Sequence, residues 1–162
     1  MTAEDRRLGG VRAIDGLSAA EVIGILGLEY LEGEGIWFRL LWRTDHGNAI
    51  YALVTPEAFS ALHVLREDET WVHVAGAPLE MLLLHPGGRH EVGVIGPDIR
   101  GGEFPTWLVP AGTWQGAVSL GEWSLVVCTL APPFSGFTLA DRETDLSEWS
   151  SASERIARLI RD

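Results

Sequence analysis

The hydrophobic positions along the chain follow a helical period first and a strand period afterwards. In residues 18–28, SAAEVIGILGL, apolar side chains recur on one helical face. These side chains are Val22, Ile25 and Leu26. Ser18 and Glu21 form the S-x-x-E pattern of a capping box, and Gly27 lies near the end of the segment. This pattern predicts an amphipathic helix that packs on the outside of a sheet.

From Gly35 onward, short runs of β-branched and aromatic residues alternate with turn signals about every eight to twelve residues. The predicted strands are IWFRLLW, AIYALV, FSALHVL, TWVHVAG, LEMLLLH, HEVGVIG, TWLVP, TWQGAV and WSLVVCTL. Because no helical pattern separates these runs, a parallel βαβ sheet is excluded. The pattern predicts an all-β sandwich or barrel.

Two segments flank the predicted barrel. Residues 1–17 are expected to form an N-terminal arm, and the segment SEWSSASERIARLI predicts a second amphipathic helix over about 147–161. The prolines 132–133 cannot occupy a central strand and mark the exit from the barrel. We therefore expect a single domain over residues 18–162, with the barrel at about 35–140.

The charge and composition exclude several classes of function. The chain has 23 acidic and 12 basic residues, and its formal net charge of −11 argues against nucleic-acid binding. All basic residues are Arg, so a mechanism that uses a catalytic lysine is excluded. A lone cysteine, Cys128, excludes a disulfide within the chain. With no signal peptide and no apolar run long enough for a bilayer, we expect a cytoplasmic protein that does not contact membranes.

Strand alternation places candidate chemistry on the faces of two successive strands. His63 shares a face with Phe59, and Glu69 shares a face with Trp71 and His73. A short turn joins the strands, so we expect a hairpin in which His63 lies across from Glu69 or Trp71. One face would then offer a few polar groups among apolar neighbours, as ligand pockets do. The alternative is a surface His–Glu pair beside a Trp at the rim.

Two short motifs resemble those of the cupin superfamily. The first is H-(x5)-E-(x6)-G at His63, Glu69 and Gly76. The second is P-x-G-x-x-Q, which begins at Pro110 and ends at Gln115. This resemblance implies a double-stranded β-helix, the RmlC-like jelly-roll barrel, with its pocket lined by both motifs.

A longer resemblance links the chain to the Cupin_5 family of RmlC-like jelly rolls. It runs over about residues 26–141 and rests, in matching order, on AIYALVTPEAFSALH, DETW, GAPLEMLLL and VPAGTWQGA. The family implies a homodimer. Where the family usually carries His-Pro-Glu-Gly-Gly, this chain reads LEGEGIWFR, so we expect a ligand that differs from the family's usual one.

The resemblance also bears on cofactors. A metal-binding cupin typically supplies two His and a Glu from the first motif and a third His from the second. Here two of those His positions carry Leu65 and Gln115. We therefore expect no metal and no other cofactor. A weak metal site built from His63, Glu69 and His73 is the alternative.

The predicted site therefore has two catalytic residues, His63 and Glu69. The predicted ligand-binding residues are Gln115, Tyr51, Trp71, His73, Arg39 and Phe59. For Tyr51 a place in the core is an equal alternative, and for Arg39 a structural ion pair is the alternative.

The main hypothesis is a metal-independent isomerase, epimerase or cyclase that acts on a small molecule. His63, made more basic by Glu69, would be the general base, and Gln115 or Tyr51 would donate a hydrogen bond to the developing oxyanion. One alternative is a barrel that binds a metabolite without converting it. The other is a metal-dependent oxygenase or hydrolase.

Overall fold

The computed structural model describes residues 14–161 as two antiparallel β-sheets with short helices on their outer faces. The strands are β1 (Glu29–Tyr30), β2 (Trp37–Thr44), β3 (Gly47–Val54), β4 (Ser60–Leu65), β5 (Asp68–Gly76), β6 (Leu79–Leu84), β7 (His90–Ile95), β8 (Thr106–Val109), β9 (Trp114–Ser119), β10 (Ser124–Ala131) and β11 (Phe137–Leu139). The six-stranded sheet has the order β1-β2-β3-β10-β5-β8, and the five-stranded sheet has the order β11-β4-β9-β6-β7. The all-β class predicted from the pattern is confirmed.

The predicted hairpin between β4 and β5 is wrong. These strands belong to different sheets: β4 pairs with β9 and β11, whereas β5 pairs with β10 and β8. Their short connection, residues 66–67, crosses from one sheet to the other instead of reversing the chain within one sheet. His63 is consequently opposite Gln115 in the register, and it faces Glu69 across the space between the sheets.

The first helix is confirmed, together with its capping box. Helix α1 (Ala19–Leu26) begins after Ser18, whose hydroxyl accepts from the Glu21 N–H while the Glu21 carboxylate accepts from the Ser18 N–H. It ends at Gly27, where φ is 64°. The helix packs on the outer face of the six-stranded sheet, in a cluster that contains Val22, Leu28, Leu53, Ala75, Trp123 and Leu125.

The C-terminal segment forms two short helical pieces instead of one helix. A 3-10 helix, Ser147–Ala152, precedes α2 (Ser153–Arg158), and Trp149 departs from helical geometry at φ −108° and ψ 36°. Both pieces cover the outer face of the five-stranded sheet, in a cluster that includes Leu62, Leu82, Leu84, Trp149, Ile156 and Leu159. No helix within residues 14–161 has the length and apolar character needed to cross a bilayer.

The inner faces of the two sheets form the main core. Its buried members include Ile36, which precedes β2, and residues from both sheets: Ala52, Val54, Trp71, Leu79, Met81, Leu83, Ile95, Ala117, Val126 and Cys128. Toward the end where β2 finishes and β3 begins, the side chains leave an open space between the sheets, and the polar residues of the candidate site line it.

Candidate functional site

The space between the sheets is a cavity of about 260 Å³. Most of its wall is apolar and consists of Leu31, Phe38, Leu40, Ile50, Leu65, Leu130, Phe134 and Phe137. Five polar side chains complete the lining: Glu34, Arg43, Asn48, His63 and Glu69. An apolar cavity with a few converging polar groups is the usual composition of a small-molecule site.

His63 lies on β4 and is almost completely buried, with 2% of its surface exposed. Its Nδ1 is 2.7 Å from the carbonyl oxygen of Ala61. Because a carbonyl can only accept a hydrogen bond, Nδ1 carries a proton, so that the lone pair of the ring in its neutral form is on Nε2. Nε2 lies 4.0 Å from Oε1 of Glu34. The ring therefore presents a basic nitrogen next to a carboxyl group.

Glu34 is a cavity residue that the sequence reasoning missed. Its carboxyl group is buried and accepts a 2.6 Å hydrogen bond from the Ser60 hydroxyl. Gly33 and Gly35, with φ of 90° and 89°, form the tight turn that carries it into the wall between β1 and β2. Glu32 lies in the same turn, and nothing in the hydrophobic pattern distinguishes the two glutamates.

Glu69 lies on β5 at the end of a buried chain of hydrogen bonds. The indole N–H of Trp71 donates to Oε1 of Gln115 at 2.9 Å, and Nε2 of Gln115 donates to Glu69 at 2.8 Å. Since β5 and β9 belong to different sheets, this chain ties the two sheets together next to the cavity. Trp71 and Gln115 thus support the site from behind, and neither belongs to the cavity lining.

The surroundings of Glu69 bring its pKa close to neutrality. The pKa is raised overall from 4.5 to about 7; burial is the largest cause, and the nearby Glu34 carboxyl acts in the same direction. His63, the hydrogen bond from Gln115 and the nearby indole N–H of Trp71 act in the opposite direction. At neutral pH the carboxyl group is therefore partly protonated, and it can either donate or accept a proton.

Cys128 is buried beside this group. Burial raises its pKa well above the ordinary value, and the negative charges of Glu69 and Glu34 raise it further. The sulfur therefore remains a thiol at neutral pH, which removes it as a thiolate nucleophile.

The residues of this cavity do not fit a metal ion. At two positions where metal-binding cupins carry His, Leu65 offers only hydrocarbon, and the amide of Gln115 is engaged by Trp71 and Glu69 on its two sides. Within residues 14–161, no group of three or more His, Cys, Asp or Glu side chains is arranged to hold a metal ion.

Two of the predicted binding residues lie on the outer face of the six-stranded sheet. Arg39 and Tyr51 are opposite each other on β2 and β3. The Arg39 guanidinium donates to the carbonyl of Leu26 at 2.8 Å, near the end of α1, and Tyr51 packs in the cluster beneath that helix. The structure does not bring either side chain to the cavity.

Phe59 and His73 also lie away from the cavity. The Cζ atom of Arg161 lies 3.9 Å from the centroid of the Phe59 ring. This contact is on the side of the five-stranded sheet that α2 covers. His73 lies toward the opposite end of β5, where its Nε2 is 3.2 Å from the carbonyl oxygens of Gly76 and Ala77. Of the predicted set, the cavity wall therefore contains His63 and Glu69.

Comparisons with known proteins find a matching family model and similar solved structures. The sequence model of Cupin_5, described as "Cupin superfamily (DUF985)", matches residues 20–144. The structure is similar to that of a protein from Shewanella oneidensis, with 29% identity and a TM-score of 0.83, over 90% of this chain and 98% of that one. A search of the curated proteins finds no match.

More distant structures share the architecture. An uncharacterised protein with a double-stranded β-helix domain from Klebsiella pneumoniae has 21% identity and a TM-score of 0.52, over 82% of this chain and 100% of that one. A variant of oxalate decarboxylase from Bacillus subtilis has 16% identity and a TM-score of 0.59, over 82% of this chain and 37% of that one. These likenesses concern the fold alone, and with the two antiparallel sheets they confirm the expected double-stranded β-helix.

Proposed function

Because this chain belongs to the Cupin_5 family of the cupin superfamily, we propose that its barrel cavity binds a small organic metabolite and that His63 acts there as a general base. The observation that carries the proposal is a pair of ionisable groups in one apolar cavity. In its neutral form His63 has the lone pair of the ring on Nε2, and Glu69 has a pKa of about 7. A base and an acid in one largely apolar cavity are the elements of proton-transfer catalysis.

The size of the cavity limits the ligand. Pockets for drug-sized ligands have volumes of about 300–1,000 Å³, and this cavity, at about 260 Å³, is slightly smaller. A compact metabolite of a few carbon atoms suits this volume better than a sugar nucleotide does.

The proposed reaction is an isomerisation through an enol. Nε2 of His63 removes a proton from a carbon next to a carbonyl group, and the electron pair of the broken C–H bond moves into the enolate. The protonated Glu69 carboxyl donates to the enolate oxygen, which Gln115 cannot do because its amide is already engaged. Return of the proton from His63 to a neighbouring carbon yields an isomer. The steps balance without a cofactor.

Proton exchange in D₂O tests this proposal, because it detects removal of the proton whatever product forms. A panel of small ketones, aldehydes and 2-oxo acids is incubated with the protein. Proton NMR then follows the loss of the signal of the hydrogen on the carbon next to the carbonyl. We expect exchange with the wild type and at least about 100-fold slower exchange with His63→Gln. His90→Gln makes the same change on β7, outside the cavity lining, and should leave the rate unaltered.

Equal exchange rates for the wild type and His63→Gln would contradict the role of His63. Saturation-transfer NMR on the same samples separates catalysis from binding. A compound that binds the wild type without exchange in any member of the panel would favour the alternative, a barrel that holds a metabolite without converting it.

A further inference from the structure

We infer that Arg43 forms a carboxylate-binding subsite at the mouth of the cavity, so that the ligand is a small carboxylic acid. This inference deepens the proposed function and rests on the cavity being its site. Arg43 lies at the end of β2, is exposed to solvent and belongs to the cavity lining. Among the polar residues that line the cavity, it is the one with a permanent positive charge.

The sheet register places Arg43 and Glu69 at the two ends of one row. Arg43 is opposite Asn48, Asn48 is opposite Leu130, and Leu130 is opposite Glu69, across β2, β3, β10 and β5. All four residues line the cavity. With adjacent strands about 4.8 Å apart, the two ends of the row are separated by about 14 Å of sheet. The register therefore places Arg43 and Glu69 at opposite ends of one wall of the cavity.

The guanidinium of Arg43 is anchored on one side. Its Nη1 donates to the carbonyl oxygen of Phe134 at 3.0 Å, and the N–H of Phe134 in turn donates to Oδ1 of Asn48 at 2.6 Å. The ion pairs within residues 14–161 do not include Arg43. Because a guanidinium has five N–H donors, an edge of the group remains for two parallel hydrogen bonds to a carboxylate.

Charge then sets the orientation of the ligand. Glu34 lies in the cavity wall close to His63 and repels an anionic group placed beside it, and Glu69 does the same in its ionised form. Arg43, at the mouth, attracts the same group. A small carboxylic acid is therefore held with its carboxylate toward Arg43, and its remaining carbon atoms extend toward His63.

Binding of matched acids and amides tests the subsite. The probes are pyruvate, lactate and mandelate with their primary amides, and saturation-transfer NMR and calorimetry measure their Kd values. At least one acid should bind the wild type, and Arg43→Gln should weaken its binding about 10-fold or more. Arg43→Lys keeps the charge but loses the two-point contact, and it should give an intermediate Kd.

Two controls isolate the contact. Arg89→Gln removes the same charge from an exposed side chain on the turn before β7, outside the cavity lining, and should leave the Kd of the acid unchanged. The amide should bind Arg43→Gln and the wild type equally. The inference is overturned if none of the three acids binds, or if Arg43→Gln and Arg89→Gln bind the acids alike.

The same samples separate this inference from the proposed function. Arg43-dependent binding without proton exchange in D₂O would leave the subsite in place and remove the role of His63 as a base. Exchange of neutral ketones that depends on His63, with no binding of acids, would overturn the subsite and leave the role of His63 intact.

Discussion

At the scale of single residues, burial of Glu69 couples the stability of the fold to pH. Its pKa of about 7 in the folded protein lies above its ordinary value of 4.5. Between these two values the folded protein holds a proton that the unfolded chain releases. The contribution of Glu69 to stability is therefore fully present below about pH 4.5 and is lost as the pH rises through 7.

Replacement of this carboxyl group in Glu69→Gln should remove that dependence. The new amide cannot ionise, and its oxygen can still accept from Gln115. Relative to Glu69→Gln, the wild type should lose about 2.5 kcal/mol in the free energy of unfolding from pH 5 to pH 8. Urea unfolding of both proteins at several pH values measures this difference. A difference that stays constant with pH would contradict the raised pKa.

The placement of individual side chains shows that strand alternation is insufficient to decide which face of a strand points into the cavity. Phe38 and Ile50 pack on the inner face, whereas Arg39 and Tyr51, their neighbours in sequence, lie on the outer face. Because α1 covers that outer face, both faces of β2 and β3 carry apolar residues. The sequence pattern therefore could separate the two sets, but it could not tell which set faces inward.

At the scale of elements, the strand runs were predictable and their partners were not. Each of β2 to β10 is long enough for a period of two to show, but β1 and β11 have only two and three residues and lie outside that signal. Pairing between β4 and β9 joins residues about fifty positions apart in the chain, such as His63 and Gln115. Local turn chemistry carries no information on such a pair, which explains why the hairpin prediction for β4 and β5 failed.

The contact between β7 and β8 leaves no room for a side chain at Gly93. A Cβ atom at Gly93 would overlap the six-membered ring of Trp107, which packs against the core between the sheets. Gly93→Ala should therefore lower the free energy of unfolding by about 1–3 kcal/mol. Urea unfolding measures the change.

The matched control lies in α1. A Cβ atom at Gly24 meets nothing within 4 Å, so Gly24→Ala should raise stability by about 0.5–1 kcal/mol through helix propensity. The same substitution is thus expected to act with opposite signs at the two sites. A Gly93→Ala protein as stable as the wild type would show that Trp107 has another place to pack.

At the scale of the whole molecule, one apolar cluster packs on the outer face of each sheet, and the inner faces of the same two sheets enclose the core. The C-terminal segment is fastened across the fold by Arg161, whose guanidinium donates to the carbonyl of Phe59 at 2.6 Å and to that of Glu34 at 3.3 Å. Trp71, Trp123 and Trp149 lie one in each of the three apolar clusters.

This distribution predicts one cooperative unfolding transition. Tryptophan fluorescence, which samples all three clusters, and far-UV circular dichroism, which samples the sheets, should give the same urea midpoint. Separate midpoints would indicate that the C-terminal segment leaves the five-stranded sheet before the barrel opens.

The hydrogen bond between His63 and the carbonyl of Ala61 has a consequence for how such a protein can diverge. The acceptor is a main-chain atom, so a change of side chain at position 61 leaves it in place. The tautomer of His63 therefore does not depend on the side chain at position 61, whereas the wall around the ring is made of replaceable side chains such as Leu65 and Phe137. Substitutions in the wall can change the shape of the cavity while the orientation of the His63 ring is retained.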